Sequence, residues 1–179
     1  MIELISPYVH YYNRGVNKAE IFFSESNYEY LIRTLYKFLP DYQIELIAYC
    51  LMPNHYHILL KHEKPLEGSR FIQRVFNAYT QAVNKQTGRV GTLFQGNVKK
   101  RFIEEDEYLA ETICYIHFNP ISSRLCKSPE GWLYSDYSEG IGLRNSRRNV
   151  VEVREQIFGS ANNYIELMSM EIGKLKEVL

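Results

Sequence analysis

Two strand-like runs joined by a tight turn constrain the fold of this chain more than any other feature. Residues 43–51 and 55–62 each contain a run of apolar side chains, and Pro53-Asn54 between them is a turn signal. They predict an antiparallel hairpin. A helical pattern flanks the hairpin on both sides, because apolar side chains recur every three or four residues over 28–39 and again over 71–83.

Two further strands complete the predicted sheet. Residues 8–13 are mostly aromatic and β-branched, residues 97–103 form a basic strand, and the acidic residues 104–107 favour the N-terminus of a third helix. The order β-α-β-β-α-β followed by a helix is that of the ferredoxin-like fold, of the α+β class. We expect two helices on one sheet face and the third helix on the other, with strands 8–13 and 55–62 adjacent in the centre.

The length and composition indicate one globular domain with an appendage. The chain has 179 residues, of which 45% are hydrophobic and 23% are charged. We predict a folded domain over residues 1–125 and a helical accessory tail over residues 126–179. No apolar run approaches the ~18 residues of a membrane span, so we expect a cytoplasmic protein with no membrane partner.

The net charge is zero, but the charges are unevenly distributed. The 21 basic residues equal the 21 acidic ones, which argues against a protein that coats nucleic acid through bulk attraction. Between residues 70 and 103, however, there are seven basic residues and no acidic one. This segment predicts either a focused basic surface or the solvated faces of ordinary elements.

Two histidines are separated by one residue in the strand over 55–62. Side chains alternate between the faces of a strand, so His55 and His57 point the same way and Tyr56 points to the helix-covered face. Neutral imidazole is a good ligand for a divalent cation. The spacing fits either a metal site or two satisfied polar side chains on a hydrated surface.

The helix before Pro120 carries a second set of polar side chains. If its apolar residues face the core, Glu111, Tyr115 and Asn119 share another face, with Tyr115 and Asn119 one turn apart. Asn119 offers an oxygen ligand, Tyr115 a nucleophile and Glu111 a base. Tyr108 is a rival nucleophile on nearly the same face. The alternative is an ordinary amphipathic helix that ends at Asn119.

Four motifs, taken together, resemble a known family. They span residues 10–15 (HYYNRG), 49–60 (YCLMPNHYHILL), 93–96 (LFQG) and 115–120 (YIHFNP). In this order and spacing they resemble the single-tyrosine HUH transposases, and most of all the REP-associated branch. The resemblance covers residues 8 to 140.

The resemblance implies cleavage of single-stranded DNA through a covalent 5′-phosphotyrosine intermediate, with a divalent metal as cofactor, Mg²⁺ or Mn²⁺. By position, His55 and His57 match the metal-binding histidines of the family, Tyr115 matches the nucleophile and Asn119 matches the third ligand. Such a protein would cleave and rejoin single-stranded or hairpin DNA of the REP type, and would act as a monomer or a homodimer.

Contacts with DNA are expected from basic and aromatic side chains, because phosphate charge and base stacking dominate the binding of single strands. The candidates are Arg14, Tyr12, Phe94, Lys99, Lys100 and Arg101.

Two other functions remain open from the sequence. One is a non-catalytic regulator that binds DNA hairpins. The other is a metal-dependent phosphodiesterase that uses water, although Leu59 stands where a third alternate histidine of such a site would be.

Overall fold

The computed structural model describes residues 7–64, 66–104, 106–146, 148 and 150–178. Four strands form one antiparallel sheet in the order β2-β3-β1-β4. The strands are β1 (Tyr8–Arg14), β2 (Ile44–Met52), β3 (His55–His62) and β4 (Lys99–Ile103). The helices are α1 (Glu25–Phe38), α2 (Glu67–Thr87), α3 (Asp106–Ser122), α4 (Tyr137–Gly140), α5 (Val150–Phe158) and α6 (Ala161–Val178). The predicted α+β, ferredoxin-like βαββαβ order is confirmed, with β1 and β3 adjacent in the centre.

One face of the sheet packs against α1 and α2. Tyr56, Ile58 and Leu60 of β3 point into this core, where they meet the apolar faces of the two helices. The helix side chains are Leu31 and Leu35 from α1, and Phe71, Val75, Phe76 and Tyr79 from α2. The alternation along β3 therefore directs the intervening histidines to the other face.

The second face packs against α3 and the C-terminal helices. Leu59 and Ile103 from the sheet contact a core that includes Ile113 and Ile116 of α3. Phe158, Tyr164 and Met168, which follow the predicted domain boundary, belong to the same core. The described part of the predicted tail thus contributes buried side chains to the sheet's second core, and the boundary at residue 125 itself stays a prediction.

Buried Asp136 ties this C-terminal region to the sheet. Its carboxylate accepts hydrogen bonds from the backbone N–H of Tyr49 (2.7 Å), from His117 Nε2 (2.7 Å) and from Arg154 (2.9 Å). Arg148 forms a further ion pair with it. Burial alone would raise the pKa of Asp136, but the two arginines bring it below its usual range, so the carboxylate is charged at neutral pH.

The helix ends differ slightly from those that the sequence predicted. Gly88, in the left-handed region at φ +67°, ends α2 after its last apolar residue. Helix α3 continues through Pro120 to Ser122, so Asn119 lies within the helix rather than at its end. Among the helices in the described ranges, none combines the length and apolar character that a bilayer crossing requires.

Candidate active site

The two predicted histidines lie side by side on the α3 face of the sheet. The ring centroids of His55 and His57 are 5.2 Å apart and the rings are nearly perpendicular. His57 is buried and His55 is half-buried. Burial lowers the pKa of both imidazoles, to the greatest extent at His57, so both are neutral at pH 7. Neutral imidazoles keep a lone pair available for a cation.

Helix α3 brings Tyr115 and Asn119 to the same place. The ring of Tyr115 lies 5.5 Å from that of His57, measured between centroids, and meets it edge-on. Asn119 lines the same cavity as His55 and His57 and interacts with both imidazoles. The Asn119 amide nitrogen donates to the carbonyl oxygen of Tyr115 at 2.7 Å, and this bond fixes the orientation of the amide. The amide oxygen takes no part in that bond.

These side chains line one cavity of about 480 Å³, which we call the active-site cavity. Predicted site residues in its lining are Tyr12, Arg14, His55, His57, Lys99, Tyr115 and Asn119. The Tyr115 side chain is 54% exposed, so a substrate can reach it.

The tautomer of His55 is set by its neighbour Asn54. His55 Nδ1 lies 2.6 Å from Asn54 Oδ1, while the amide nitrogen of Asn54 donates to the carbonyl oxygen of Lys18 at 3.1 Å. That second bond orients the amide, so its oxygen faces the imidazole. Because this oxygen only accepts, His55 Nδ1 carries the proton and Nε2 has the free lone pair.

His57 contacts a third imidazole, His10 of β1, which the sequence analysis did not select. Nδ1 of His57 lies 2.9 Å from Nε2 of His10, and both side chains are buried. With His57 as donor, its Nε2 is free for a ligand, as in the outer hydrogen bonds that orient metal-binding histidines. Burial, with a smaller contribution from Arg101, lowers the pKa of His10 to about 4. The alternation of β1 and its place beside β3 could have identified His10.

A second cavity, of about 390 Å³, lies on the other side of Tyr115. Glu111 and Tyr108 line this cavity together with His10, His57 and Tyr115. Glu111 is exposed and borders the nucleophile candidate, which is compatible with its predicted role as a base. The rival Tyr108 does not line the cavity that contains His55 and Asn119, so Tyr115 is the better placed phenol.

Three of the predicted basic DNA contacts line the two cavities. Lys99 and Arg101 lie opposite Tyr12 and His10 in the β1–β4 ladder and line the two cavities. Arg14 also lines the active-site cavity.

Two of the predicted contacts lie away from the active-site cavity, and as DNA contacts they stay predictions. Lys100 pairs with Tyr11 in the ladder and therefore points to the opposite face of the sheet, away from the histidines. Phe94 is only 9% exposed, and its ring packs against Tyr56 and Phe76 in the core, so it offers no free face for a base to stack on in this cavity.

The residues at the site fit a divalent cation with open coordination positions. Within the described ranges no group of three His, Cys, Asp or Glu side chains could hold a metal ion. The available donors are instead two imidazoles and one amide oxygen, from His55, His57 and Asn119. This set of nitrogen and oxygen donors suits Mg²⁺ or Mn²⁺ less strongly than a carboxylate site would. Because none of the donors is charged, the cation keeps its full charge for interaction with a phosphate.

Comparisons with known proteins identify relatives of this chain. A protein of Haemophilus influenzae assigned as a REP-associated tyrosine transposase is 24% identical over 112 residues, which cover 56% of this chain. The match spans 62% of that relative's length. A solved structure of a REP-associated tyrosine transposase bound to a REP hairpin superposes with a TM-score of 0.66 at 16% identity, and the match covers 82% of this chain and 88% of the other. This likeness shows a shared fold.

Residues 5–117, well over half of the chain, match the family described as "Transposase IS200 like". The chain belongs to the IS200-like transposase family.

Proposed function

We propose that this protein cleaves and rejoins single-stranded, hairpin-bearing DNA through a covalent bond between Tyr115 and a 5′ phosphate. The observation that carries the proposal is the convergence of Tyr115, His55, His57 and Asn119 on one cavity. REP-like hairpins are the proposed substrate class, because the structural relative is bound to a REP hairpin.

In the proposed cleavage step, the phenolic oxygen of Tyr115 attacks the scissile phosphorus. The bond from phosphorus to the 3′ oxygen breaks, and the 3′ oxygen takes a proton and leaves as a hydroxyl. The tyrosine proton is released during the attack, and Glu111, which lines the second cavity together with Tyr115, is the predicted acceptor. The products are a 5′-phosphotyrosine and a free 3′-hydroxyl end.

Rejoining is the same step in reverse with another DNA end. A 3′-hydroxyl attacks the phosphotyrosine, the bond from phosphorus to Tyr115 breaks, and the phenol recovers a proton. The number of phosphoester bonds is unchanged, so strand transfer needs no external energy source. A covalent intermediate thus distinguishes a transposase from a nuclease that uses water.

A divalent cation would be held by His55, His57 and Asn119. When bound, it would supply Lewis-acid stabilisation to the phosphoryl oxygens. The protein contributes neutral imidazoles and an oriented amide, while Lys99 and Arg14 lie in the same cavity to hold the flanking phosphates.

The proposal is tested by looking for a protein–DNA adduct. The full chain is incubated with single-stranded oligonucleotides that contain hairpins, in Mg²⁺ or Mn²⁺, and separated on a denaturing gel. We expect an adduct that is absent with chelator and in Tyr115→Phe. The matched control is Tyr108→Phe, which removes the neighbouring phenol and is expected to retain the adduct.

Each alternative function predicts a different result in this assay. An adduct that survives in Tyr115→Phe would assign the nucleophile elsewhere. Cleavage without an adduct would support the phosphodiesterase, and hairpin binding without cleavage would support the regulator.

A further inference from the structure

Lys18 is an exposed residue that lines the active-site cavity, and it belongs neither to the proposed cation site nor to the nucleophile. We propose that Lys18 donates the proton that the 3′ oxygen takes up as it leaves the scissile phosphorus. The proposal rests on the proposed function for the cleavage step, and it identifies the proton donor of that step. Lys18 would then be a catalytic residue in addition to Tyr115.

The active-site cavity extends along β1 and β3, from Tyr115 towards the turn between β2 and β3. The ring of Tyr115 lies near His10 and His57, at centroid distances of 6.3 and 5.5 Å. One turn later in α3, Asn119 interacts with both His57 and His55. The proposed cation ligands therefore lead from the nucleophile towards the first residue of β3.

Lys18 lies at the other end of this row, beside the turn. Its carbonyl oxygen accepts a hydrogen bond from Asn54 Nδ2 at 3.1 Å, and Asn54 directly precedes His55. The backbone N–H of Gly15 donates to the carbonyl oxygen of Asn54 at 2.8 Å, which fixes the chain before Lys18 to the same turn. The proposed site of the scissile phosphate thus lies between Tyr115 and Lys18.

This arrangement matches the geometry of phosphoryl transfer. The attacking and leaving oxygens lie roughly in line, on opposite sides of the phosphorus. With the phenol of Tyr115 on one side, the 3′ oxygen leaves on the side of Lys18. An alkoxide is a poor leaving group, so a proton donor placed at that side speeds its departure.

The other cationic side chains of the cavity suit this role less well. Lys99 pairs with Tyr12, which in turn pairs with His57, so Lys99 lies at the level of the nucleophile. Arg14 pairs with His55, but a guanidinium does not release its proton in proteins. Among the described residues that line the cavity there is no carboxyl group. An ammonium group, in contrast, has three N–H donors and a compact positive charge.

A strained turn carries Lys18. Its φ is +60° and that of Asn17 is +53°, in the left-handed region that a lysine disfavours. The N–H of Ala19 closes the turn by donating to the carbonyl oxygen of Val16 at 3.0 Å. The turn packs closely on Gly15, where a Cβ would lie 2.1 Å from the carbonyl oxygen of Ala19. Strain of this kind clusters at functional sites, and here a lysine stands where glycine would be unstrained.

The proposed proton transfer balances over both steps. In cleavage, the bond from Tyr115 to phosphorus forms and the bond to the 3′ oxygen breaks, with its electron pair on that oxygen. An N–H proton of Lys18 transfers to the same oxygen, which leaves a neutral amine. In rejoining, this amine takes the proton of the attacking 3′-hydroxyl. The two steps together leave the protonation of Lys18 unchanged.

The role is tested by replacing the leaving oxygen of the DNA with sulfur. Two hairpin oligonucleotides are compared, one with the natural 3′ oxygen at the cleavage position mapped with the wild type and one with sulfur there. A thiolate leaves without a proton. In single-turnover cleavage by the full chain in Mn²⁺, we expect Lys18→Gln to cut the oxygen substrate roughly 100-fold or more slowly, and the sulfur substrate at about the wild-type rate. Equal losses on both substrates would overturn the proposal.

The variant Lys18→Arg separates proton donation from positive charge. Arginine retains the charge but does not give up a proton. We expect hairpin affinity close to that of the wild type, slow cleavage of the oxygen substrate and normal cleavage of the sulfur substrate. Restored cleavage of the oxygen substrate would show that charge alone is sufficient, and Lys18 would not be the acid.

Two further variants are controls for specificity and for folding. Lys99→Gln removes the other lysine of the cavity, and we expect it to lose the same factor on both substrates. Restoration of Lys99→Gln by sulfur would contradict a role specific to Lys18. Lys18→Gly suits the positive φ, so we expect it to unfold at no lower urea concentration than the wild type and still to cut the oxygen substrate slowly. Wild-type rates in Lys18→Gly would also overturn the proposal.

Failure of this proposal is distinguishable from failure of the proposed function. If the wild type forms adducts and Lys18→Gln loses the same factor on both substrates, the role of Lys18 is wrong and the tyrosine chemistry stands. If the wild type cuts DNA without an adduct and sulfur still restores Lys18→Gln, the nucleophile is water and Lys18 is the proton donor. If the wild type cuts neither substrate, both proposals are wrong.

Discussion

At the scale of single residues, the contact between His10 and His57 is the least expected feature of the site. Two imidazoles lie 2.9 Å apart, and burial favours the neutral form of each. One neutral ring can donate to the other, whereas two charged rings would repel. Burial keeps His57 neutral, as binding of a cation requires. The same burial means that the folded state loses stability when acid protonates these imidazoles.

We predict that stability falls as the pH decreases from about 6.5 towards 4. The pKa of His10 is 6.5 in its ordinary state and about 4 in the folded protein. Between these values the unfolded chain binds a proton that the folded protein excludes, so the stabilisation is complete above pH 6.5 and is lost as the pH falls. His10 alone accounts for roughly 3 kcal/mol of this loss. Urea unfolding at a series of pH values measures it.

Variants separate His10 from other acid effects. His10→Gln is expected to show a shallower fall in unfolding free energy over the same pH range. The control His62→Gln removes a histidine from the other face of the sheet and leaves the contact between His10 and His57 intact. Identical slopes in the wild type and in His10→Gln would contradict the assignment.

At the scale of elements, strand β3 and helix α3 carry most of what the sequence could predict about the site. Period-two alternation placed His55 and His57 on one face, and the four-residue spacing placed Tyr115 and Asn119 one turn apart on another element. The predicted boundaries of β3, residues 55–62, are confirmed. Local periodicity is sufficient for such features because each is determined within a single strand or helix.

Features that depend on pairs of distant elements escaped prediction. His10 contacts His57 across the β1–β3 pairing, and alternation within either strand alone does not reveal that contact. The direction of the Lys100 side chain, in contrast, could have been predicted from the sequence. Strand alternation already places Lys99 and Lys100 on opposite faces of the sheet.

The position of Asn119 on α3 leads to a prediction about cation dependence. If its oxygen is a ligand, Asn119→Asp adds a negative charge beside the cation and should lower the Mn²⁺ concentration for half-maximal adduct formation. Asn119→Ala should raise that concentration, roughly 10-fold or more. Titrating Mn²⁺ in the adduct assay measures both.

The sign of the shift is the decisive part of that experiment. The control Ser123→Ala changes another residue that lines the active-site cavity, and should leave the Mn²⁺ dependence unchanged. If the aspartate and alanine variants respond to Mn²⁺ as the wild type does, Asn119 is not a ligand and serves only to bond the carbonyl oxygen of Tyr115.

At the scale of the whole molecule, one buried carboxylate joins the sheet, α3 and the C-terminal helices. Asp136 bonds to the backbone of β2, to His117 of α3 and to Arg154 of α5. Arg154 also donates to the carbonyl oxygen of Ile47 in β2 at 2.8 Å. These partners are far apart in sequence, so composition and periodicity within single elements could not predict that they contact one another.

We predict that Asp136→Asn lowers the unfolding free energy by about 3 to 5 kcal/mol, because it leaves the buried arginines without their counter-charge. The control Asp41→Asn removes an exposed ion pair with Arg74 and should change the unfolding free energy far less, because solvent screens that pair. Urea unfolding followed by fluorescence and by circular dichroism measures both.

If the network joins the two regions, the wild type unfolds in a single transition that both probes report together. Two separate transitions, with the sheet retained after residues 126–178 have unfolded, would instead show that the C-terminal region folds independently and would support the boundary predicted at residue 125.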